Sequence, residues 1–233
     1  MAEKNGDHYR GETLRLSQAW VHLNAMDFPG VVGICESVLP VVEDSGRGPW
    51  RRFALIFVGS AQTALGNYES AHKYLTTAMD EMDHQKLIFD WYFRMLLESN
   101  LTELWLAKGD LAAARTEAER FLSVALATAE CTWQAPEANA RVAMAQLDLD
   151  RARDCIAKGL STMEGFEVPL AAWRVHATAA ELYRAGDNGE SADHHCELTR
   201  ATIVNLADSL AVEEPLRKTF LSAPSVRKVL ENF

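Results

Sequence analysis

The sequence contains no long apolar run, and its longest uninterrupted stretch, Phe53 to Val58, spans only six residues. A helix that crosses a membrane needs about 20 apolar residues, so we expect no membrane partner. Residues 1–12 are polar and lack the apolar core of a signal peptide. These two absences predict a cytoplasmic protein.

Positive charge is also scarce. The chain has 23 lysines and arginines against 33 aspartates and glutamates, which gives a formal charge of −10. Proteins that bind nucleic acids normally carry a basic footprint. The charge balance therefore predicts that no nucleic acid is a partner.

Cysteines and catalytic motifs are few. The four cysteines, Cys35, Cys131, Cys155 and Cys196, show no CxxC spacing, and in a chain this rich in apolar residues we expect reduced thiols packed in helices. The phosphate loop GxxxxGK[ST], GxGxxG, HExxH and GxSxG are all missing. We expect no enzyme, no catalytic residue, no cofactor and no metal.

What the sequence does have is a repeat of about 40 residues. Large aromatic residues are spaced by 41, 41, 42 and 40 positions at Tyr9, Trp50, Trp91, Trp133 and Trp173. A second series of small residues is spaced by 40, 43, 38 and 40 at Val31, Ala71, Ala114, Ala152 and Ala192. Two markers with one period indicate five copies of a unit too small to bury a core alone. Alanine, the best helix former, occurs 34 times, which indicates an all-α fold.

The second unit shows how each residue type serves a helix pair. Leu65-Gly66-Asn67-Tyr68 is followed by Ala71, Leu75 and Ala78. Glycine suits the left-handed backbone that ends a helix, and Asn67 is expected to accept hydrogen bonds from the first N–H groups of the next helix. Ala71 and Ala78 lie on one helix face and let two helices approach closely.

This pattern resembles the tetratricopeptide repeat (TPR) family, and five units in register cover nearly the whole chain. The other turn segments are Met26-Asp27-Phe28, Gly109-Asp110-Leu111, Leu147-Asp148-Leu149 and Ala185-Gly186-Asp187. Units longer than the usual 34 or so residues are similar to the variant in MalT-type regulators and bacterial signal-transduction ATPases. The resemblance implies an all-α, right-handed α-solenoid of about five TPR-like helix pairs with a C-terminal capping helix pair.

The predicted boundaries follow the turns. We place the array at 13–210, with units 13–43, 50–83, 86–130, 132–164 and 167–210. A polar segment, 1–12, precedes it, and 211–233 form the cap. The expected helix pairs are 13–26 with 29–42, 50–65 with 68–82, 86–107 with 111–129, 132–147 with 149–163, and 167–185 with 189–210.

The last residues carry a second resemblance. The segments Leu206 to Leu210, Glu214 to Arg217, Phe220 to Pro224 and Val226-Arg227 look like the ending of large bacterial proteins. Those proteins join cyclase-like or kinase modules, an ATPase module and a TPR array. The resemblance implies a signalling context and assigns no activity to these residues.

The periodic aromatics and the arginines beside them are the candidate site. In TPR arrays the first helix of each pair lines the concave face, and tryptophan with arginine dominates binding hot spots. We predict that a protein or peptide, acidic by preference, binds through the following residues: Arg51, Trp91, Arg94, Trp133, Trp173 and Arg174. The competing interpretation is that each tryptophan packs between neighbouring units and some arginines pair with nearby carboxylates.

Two other clusters are weaker candidates. His194, His195 and Cys196 are consecutive, so on a helix they point about 100° apart and do not converge on one metal. We expect a polar helix face with Cys196 turned inward. Asp80, Glu81 and Asp83 are read as a solvated helix end and not as an acid–base pair.

Two alternatives stay open beside peptide binding. A small-molecule sensor is permitted by the resemblance to MalT-type arrays, provided that a closed pocket with convergent polar groups exists. Self-assembly is the other alternative, because an incompletely capped end such as the first repeat would let two chains form a homodimer.

Overall fold

The computed structural model describes residues 8–44, 48–126 and 133–232. All regular structure in these residues is helical, and it forms twelve helices. They are α1 (His8–Asn24), α2 (Phe28–Asp44), α3 (Gly48–Ala64), α4 (Tyr68–His84), α5 (Asp90–Lys108), α6 (Leu111–Leu126), α7 (Gln134–Ala145), α8 (Leu149–Met163), α9 (Pro169–Ala185), α10 (Gly189–Asp208), α11 (Pro215–Ser222) and α12 (Pro224–Asn232). The predicted all-α fold of TPR-like helix pairs is confirmed.

Two helices begin four or five residues away from their predicted positions. Helix α1 begins at His8 and not at residue 13, and Glu12, the last residue of the predicted polar segment, is buried. Helix α5 begins at Asp90 and not at residue 86. Phe89 has a φ of 72°, a left-handed conformation through which a right-handed helix cannot extend.

The chain divides into two compact units at Gly109. In the first, α1 packs on α2 and α3, and α5 packs on α3 and α4. In the second, α6 packs on α7, and α8 packs on both α7 and α9. Helix α10 packs on α9, and it is also contacted by α11 and α12. Each unit is therefore built from consecutive helices that contact their sequence neighbours, as a repeat fold requires.

Every turn within a repeat has the same backbone. One residue with positive φ precedes an Asp or Asn in each, at Met26 (58°), Gly66 (80°), Gly109 (76°), Leu147 (62°) and Asp187 (57°). These positions are spaced by 40, 43, 38 and 40, the period of the small-residue markers. The repeat is thus a property of the backbone, and it persists where glycine is replaced by Met, Leu or Asp.

The Asp or Asn after this residue caps the next helix in four turns. The side chains of Asp27, Asp110, Asp148 and Asn188 accept a hydrogen bond from the backbone N–H three residues later. Asn67 does not, and the prediction for it was wrong: its amide donates backwards to Gln62 Oε1 at 2.7 Å. Asn67 contributes to the start of α4 only through its backbone carbonyl, which accepts a hydrogen bond from Ala71 N at 3.0 Å.

A small residue lies seven positions before each turn residue. All five are fully or almost fully buried, and they are Ala19, Gly59, Thr102, Ala140 and Ala180. At Gly59 the second helix comes so close that an added Cβ would lie 2.7 Å from Leu75 Cδ2. These positions set how closely the two helices of a pair approach.

The last two helices cover the end of α10. Phe220 of α11 and Ala223, Val226 and Val229 of the following segment are buried, whereas Arg227, Lys228 and Glu231 are exposed. The boundaries of the predicted cap and array stay a prediction. Across the described helices, none combines the length and the apolarity that crossing a bilayer demands.

Candidate partner-binding site

A chain of aromatic rings crosses the first helices of the amino-terminal unit. We name it the aromatic ladder, and its members are Trp20, Trp50, Phe53, Phe57, Trp91, Tyr92 and Phe93. Trp20 of α1 lies 5.5 Å from Phe57 of α3, and Phe57 lies 5.5 Å from Phe53, measured between ring centroids. Phe53 meets Phe93 of α5 at 4.6 Å, edge to face. Such pairs add stability beyond the area that they bury.

Local spacing explains why the ladder forms. Phe53 and Phe57 are four residues apart on α3, and Trp50 is three residues before Phe53, so all three share a helix face. The rings of Trp50 and Phe53 lie 6.1 Å apart and nearly parallel. Because α3 packs between α1 and α5, this face receives Trp20 from one side and Phe93 from the other.

The ladder is buried in its middle and exposed at its ends. Phe57 and Phe93 belong to the core. Trp20 at one end is 38% exposed, and Trp91 at the other is 46% exposed. Trp20 therefore contacts a core ring directly, whereas Trp91 contacts the half-buried Tyr92, whose ring lies 6.0 Å from that of Phe53.

An apolar loop extends the exposed end at Trp91. Ile88 and Phe89, between α4 and α5, are also exposed. Phe89 keeps its left-handed backbone because its carbonyl accepts hydrogen bonds from the N–H groups of Tyr92 at 2.9 Å and Phe93 at 3.1 Å, which start α5. Ile88, Phe89 and Trp91 are three exposed apolar side chains within four residues of the chain, and we call them the loop patch.

Arg51, a predicted site residue, is already ion-paired. Its guanidinium contacts the Glu81 carboxylate on α4 and lies 3.3 Å from Glu43 Oε1 on α2. Three-quarters of the Arg51 side chain is buried, whereas most of Glu43 faces solvent. Of the two carboxylates paired with Arg51, Glu43 is therefore the more solvent-accessible.

Arg94 has the same arrangement on α5. Its Nη2 donates to Asp83 Oδ1 at 2.6 Å, and its Nη1 lies 3.7 Å from Glu98 Oε1. The hydrogen bond from Arg94 lowers the pKa of Asp83. Asp83 is more than half exposed while Glu98 is buried. Asp83 is therefore the exchangeable partner of Arg94.

Arg52 has a different role from that of its neighbour Arg51. It is almost completely buried, its Nη2 donates to the carbonyls of Glu81 at 2.8 Å and Gln85 at 2.6 Å, and its Nη1 contacts the Asp90 carboxylate. Asp90 Oδ2 in turn accepts from Leu87 N at 2.7 Å. Arg52 therefore holds the loop between α4 and α5 and does not face a partner.

The three arginines converge on the carboxyl-terminal end of α4. Cations stabilise that end because the helix dipole leaves it negative and because its last carbonyls lack helical donors. The sequence predicts that Asp80, Glu81 and Asp83 form a solvated helix end. The structure differs at two of these residues, because Glu81 and Asp83 pair with Arg51 and Arg94.

The other three predicted site residues lie in the second unit. Trp133 precedes α7 and is half-buried against the core around Ile156 and Val175. Trp173 is almost fully buried. Arg174 lies over the Trp173 ring, with its Cζ 4.8 Å from the ring centroid, in a cation–π contact. The packing interpretation of the periodic tryptophans accounts for these two.

The structure thus places Arg51, Trp91 and Arg94 in the first unit, with Arg51 and Arg94 both paired to carboxylates at the end of α4. Sequence reasoning missed Trp20, Phe53, Phe57, Ile88 and Phe89, because none of them belongs to the aromatic series from which the period was read. One signal was present: Trp50, Phe53 and Phe57 have the spacing of one helix face.

The histidine cluster is packed and not solvent-facing as a whole. Cys196 is buried, as predicted, and so is His195, whereas His194 is exposed. His195 stacks on Tyr183, with ring centroids 5.4 Å apart and planes 3° apart. Burial, and secondly the nearby His195, lower the pKa of His176 to about 4. His195 has a lowered pKa for the same main reason.

The remaining cysteines agree with the prediction of packed thiols. Cys35 and Cys155 are free, and Cys35 lies in the core. Burial raises the pKa of Cys35 to about 12, so this thiol stays protonated and unreactive at neutral pH. Cys131 and the side chain of Tyr9 lie outside the described residues.

Comparison with known proteins supports the fold. No protein-family model matches the chain, and no curated protein is significantly similar to it. Among solved structures, a protein of Podosopora anserina assigned as a kinesin light chain with nearly identical TPR-like repeats matches at 15% identity and a TM-score of 0.59, over 83% of this chain and 95% of the other.

A second solved structure gives the same result. BtubC (BKLC) from P. vanneervenii matches at 16% identity and a TM-score of 0.59, over 91% of this chain and 85% of the other. At such low identity the similarity shows the fold alone. The chain therefore has a TPR-like repeat structure.

Proposed function

We propose that the chain is a non-enzymatic interaction module that binds a peptide or protein segment at the exposed Trp91 end of the aromatic ladder. TPR-like repeat domains generally act as protein-interaction modules. The observation that carries the proposal is that Trp91, with 46% of its surface exposed, contacts the ring of Tyr92 and lies close in the chain to the exposed Ile88 and Phe89. Exposed aromatics that lose little freedom on binding make strong anchors.

The loop patch supplies the affinity in this proposal. An apolar side chain of the partner covers Trp91 and Ile88 and removes them from water. Apolar surface contributes about 25 cal/mol per Å² when buried, and exposed apolar patches rimmed by polar residues mark interaction sites. The patch lies at the start of α5, where Asp90 and Arg52 fix the loop.

Arg94 and Arg51 supply the orientation and the preference for an acidic partner. Each keeps one sheltered carboxylate, Glu98 or Glu81, and one exposed carboxylate, Asp83 or Glu43. Exposed ion pairs contribute only about 0–1 kcal/mol, so a partner carboxylate replaces Asp83 or Glu43 at little cost. The proposed ligand is an acidic peptide with an aromatic or aliphatic anchor.

The cellular setting belongs to the same proposal. The long repeat period and the carboxyl-terminal resemblance support a sensing or scaffolding module of a bacterial signalling protein in the cytoplasm. The formal charge of −10 favours a protein partner over a nucleic acid. A partner protein that is basic outside the bound segment would still be attracted by the net negative charge of this chain, while the acidic segment of that partner contacts Arg51 and Arg94.

A peptide selection tests the proposal directly. A random 12-mer phage library is selected on the 233-residue chain, and the recovered peptides are labelled and titrated by fluorescence anisotropy. Trp91→Ala should weaken binding about 10-fold or more. Arg94→Gln should weaken acidic peptides and leave neutral analogues unchanged.

Matched controls separate a local effect from a folding effect. Arg115→Gln removes an exposed arginine that pairs with Glu119 on α6, and Leu170→Ala removes an exposed apolar side chain on α9. Both should bind the peptides as the unchanged chain does. If Trp91→Ala binds the peptides as tightly as the unchanged chain does, the loop patch is not the site.

Small-molecule sensing is the competing outcome. A thermal-shift screen with sugars and nucleotides in place of peptides distinguishes it, since a ligand at 100 times its Kd stabilises the fold by about 2.7 kcal/mol. Stabilisation by a metabolite, together with failure to select any peptide, would replace the peptide proposal with this one.

A further inference from the structure

Four equivalent positions of the first helix are buried in each repeat after the first, except that Asn100 in α5 is half-buried. They lie 12, 9, 8 and 5 residues before the positive-φ turn residue, and we call them the docking positions. In α3 they are Ala54, Phe57, Val58 and Ala61, all buried in one cluster with Val31, Cys35 and Val38 of α2.

The rule repeats along both units. In α5 three docking positions, Leu97, Leu101 and Leu104, share a core cluster with Ala71, Leu75 and Ala78 of α4. In α9 Val175, Ala179 and Leu182 share one with Ala152, Ile156 and Met163 of α8. The interface between successive repeats therefore has the same construction each time. The second helix of one repeat packs on the docking positions in the first helix of the following repeat.

Helix α1 presents the same surface uncovered. Its docking positions are Leu14, Ser17, Gln18 and Val21, counted from Met26. Leu14 is 60% exposed and Val21 is 50% exposed, and Ser17 and Gln18 are also exposed. Within the described part of the chain no helix lies on this face. Two apolar side chains thus occupy positions whose equivalents in α3, Ala54 and Ala61, are completely buried.

We infer that this face of α1 binds the same face of a second copy of the chain. The order of the four positions reads apolar, polar, polar, apolar, so it is the same in both directions. An antiparallel copy places Leu14 against Val21 of the other chain and Ser17 against Gln18, in a contact related by a two-fold axis. None of the four is charged, so two chains of charge −10 meet where they do not repel each other directly.

A head-to-tail contact fits less well. The exposed side of α12, the last helix, carries Arg227, Lys228 and Glu231, and these are engaged in ion pairs. That side offers no apolar stripe to lie on Leu14 and Val21. The self-complementary contact closes after two chains and forms no filament, and with one apolar pair on each side of the axis it is a weak, concentration-dependent dimer.

Sedimentation velocity over a concentration series tests the dimer. The unchanged chain should shift from monomer to dimer as its concentration rises through the micromolar range. Leu14→Glu should remain monomeric throughout, because it buries a charge against Val21 of the other chain. Leu170→Glu, an equally drastic change at an exposed apolar position of α9, should dimerise normally.

A milder variant guards against misfolding. Gln18→Glu lies at an exposed position and brings two carboxylates together beside the two-fold axis, so it should raise the dimer dissociation constant about 10-fold at low salt and less at high salt. A monomer at every concentration, or a dimer that both α1 variants leave intact, overturns the inference. Peptide binding at the loop patch does not involve these positions, so its outcome is independent.

Discussion

The Nδ1 atoms of His176 and His195 lie 3.0 Å apart between α9 and α10. At that distance one Nδ1 must donate a hydrogen bond and the other must accept it, so the two imidazoles are not both positively charged. Burial and the neighbouring histidines lower the pKa of both rings. The pair therefore links the stability of the second unit to pH.

We predict that the free energy of unfolding falls as the pH is lowered from 6.5 to about 4. In the unfolded chain a histidine takes up its proton near pH 6.5, whereas folded His176 does so only near 4. Since the unfolded state binds more protons in this window, acid favours it. The stabilising contribution is complete above pH 6.5. Urea unfolding at a series of pH values measures the slope.

The matched variants identify the residues responsible. His176→Gln keeps a polar side chain of similar size and should flatten the slope between pH 6.5 and 4. His84→Gln changes a histidine that lies exposed at the end of α4 and should leave it unchanged. Equal slopes for the unchanged chain and His176→Gln would show that carboxylates alone produce the acid sensitivity.

Leu147→Gly should stabilise the protein. Leu147 is 86% exposed and has a φ of 62°, so its side chain contributes little while its backbone is strained. Glycine removes the strain but costs unfolded-state entropy, and we expect a net gain of about 0.5–1 kcal/mol. Chemical denaturation gives the value.

Two glycine variants check this reasoning from opposite directions. Gly66→Ala places a Cβ in open space but at a φ of 80°, and it should destabilise by about 1 kcal/mol. Gly33→Ala also meets nothing within 4 Å but lies inside α2, and it should stabilise by about 1 kcal/mol. Equal effects of both would show that left-handed backbone is not what the turns require.

Gly59→Ala should destabilise the first unit although Gly59 lies in a helix. The new Cβ would lie 2.7 Å from Leu75 Cδ2 and Cγ, so α3 and α4 must separate or Leu75 must move. Overpacking of this kind costs about 1–3 kcal/mol. Gly159→Ala is the control, because its nearest contact would be an ordinary 3.6 Å. Thermal unfolding of the two variants distinguishes close approach from helix propensity.

Arg52→Met should be the most damaging of these substitutions. It leaves the Asp90 carboxylate and the carbonyls of Glu81 and Gln85 without their buried donor. Breaking a buried ion pair costs about 3–5 kcal/mol. Arg115→Met, at an exposed pair with Glu119, should cost less than about 1 kcal/mol. Similar losses for both would contradict the structural role given to Arg52.

The period of the sequence was enough to predict the fold. Helices and turns recur because each unit needs a small residue where two helices cross and a left-handed residue where they join. Gly66 and Gly109 indicate that turn in the sequence. At Leu147 the same turn forms without glycine, and the side chain of Asp148 caps the helix that follows. Periodicity was therefore a better guide than any single residue type.

The candidate site was less predictable, because periodic positions are mainly packing positions. Trp173 follows the period and is buried, whereas Trp20 does not follow it and is exposed. Arg51 and Arg52 are adjacent and look alike in the sequence. Arg51 forms an ion pair with the exposed Glu43, whereas Arg52 is buried and donates to backbone carbonyls at the end of α4. The packing partner, which only the structure gives, decides between these roles.

Hydrogen–deuterium exchange with a selected peptide tests the central claim most directly. The account predicts slower exchange at the loop between α4 and α5 and at the first turn of α5, with α8 and α10 unchanged. Slower exchange confined to the second unit, or none at a saturating peptide concentration, would contradict it.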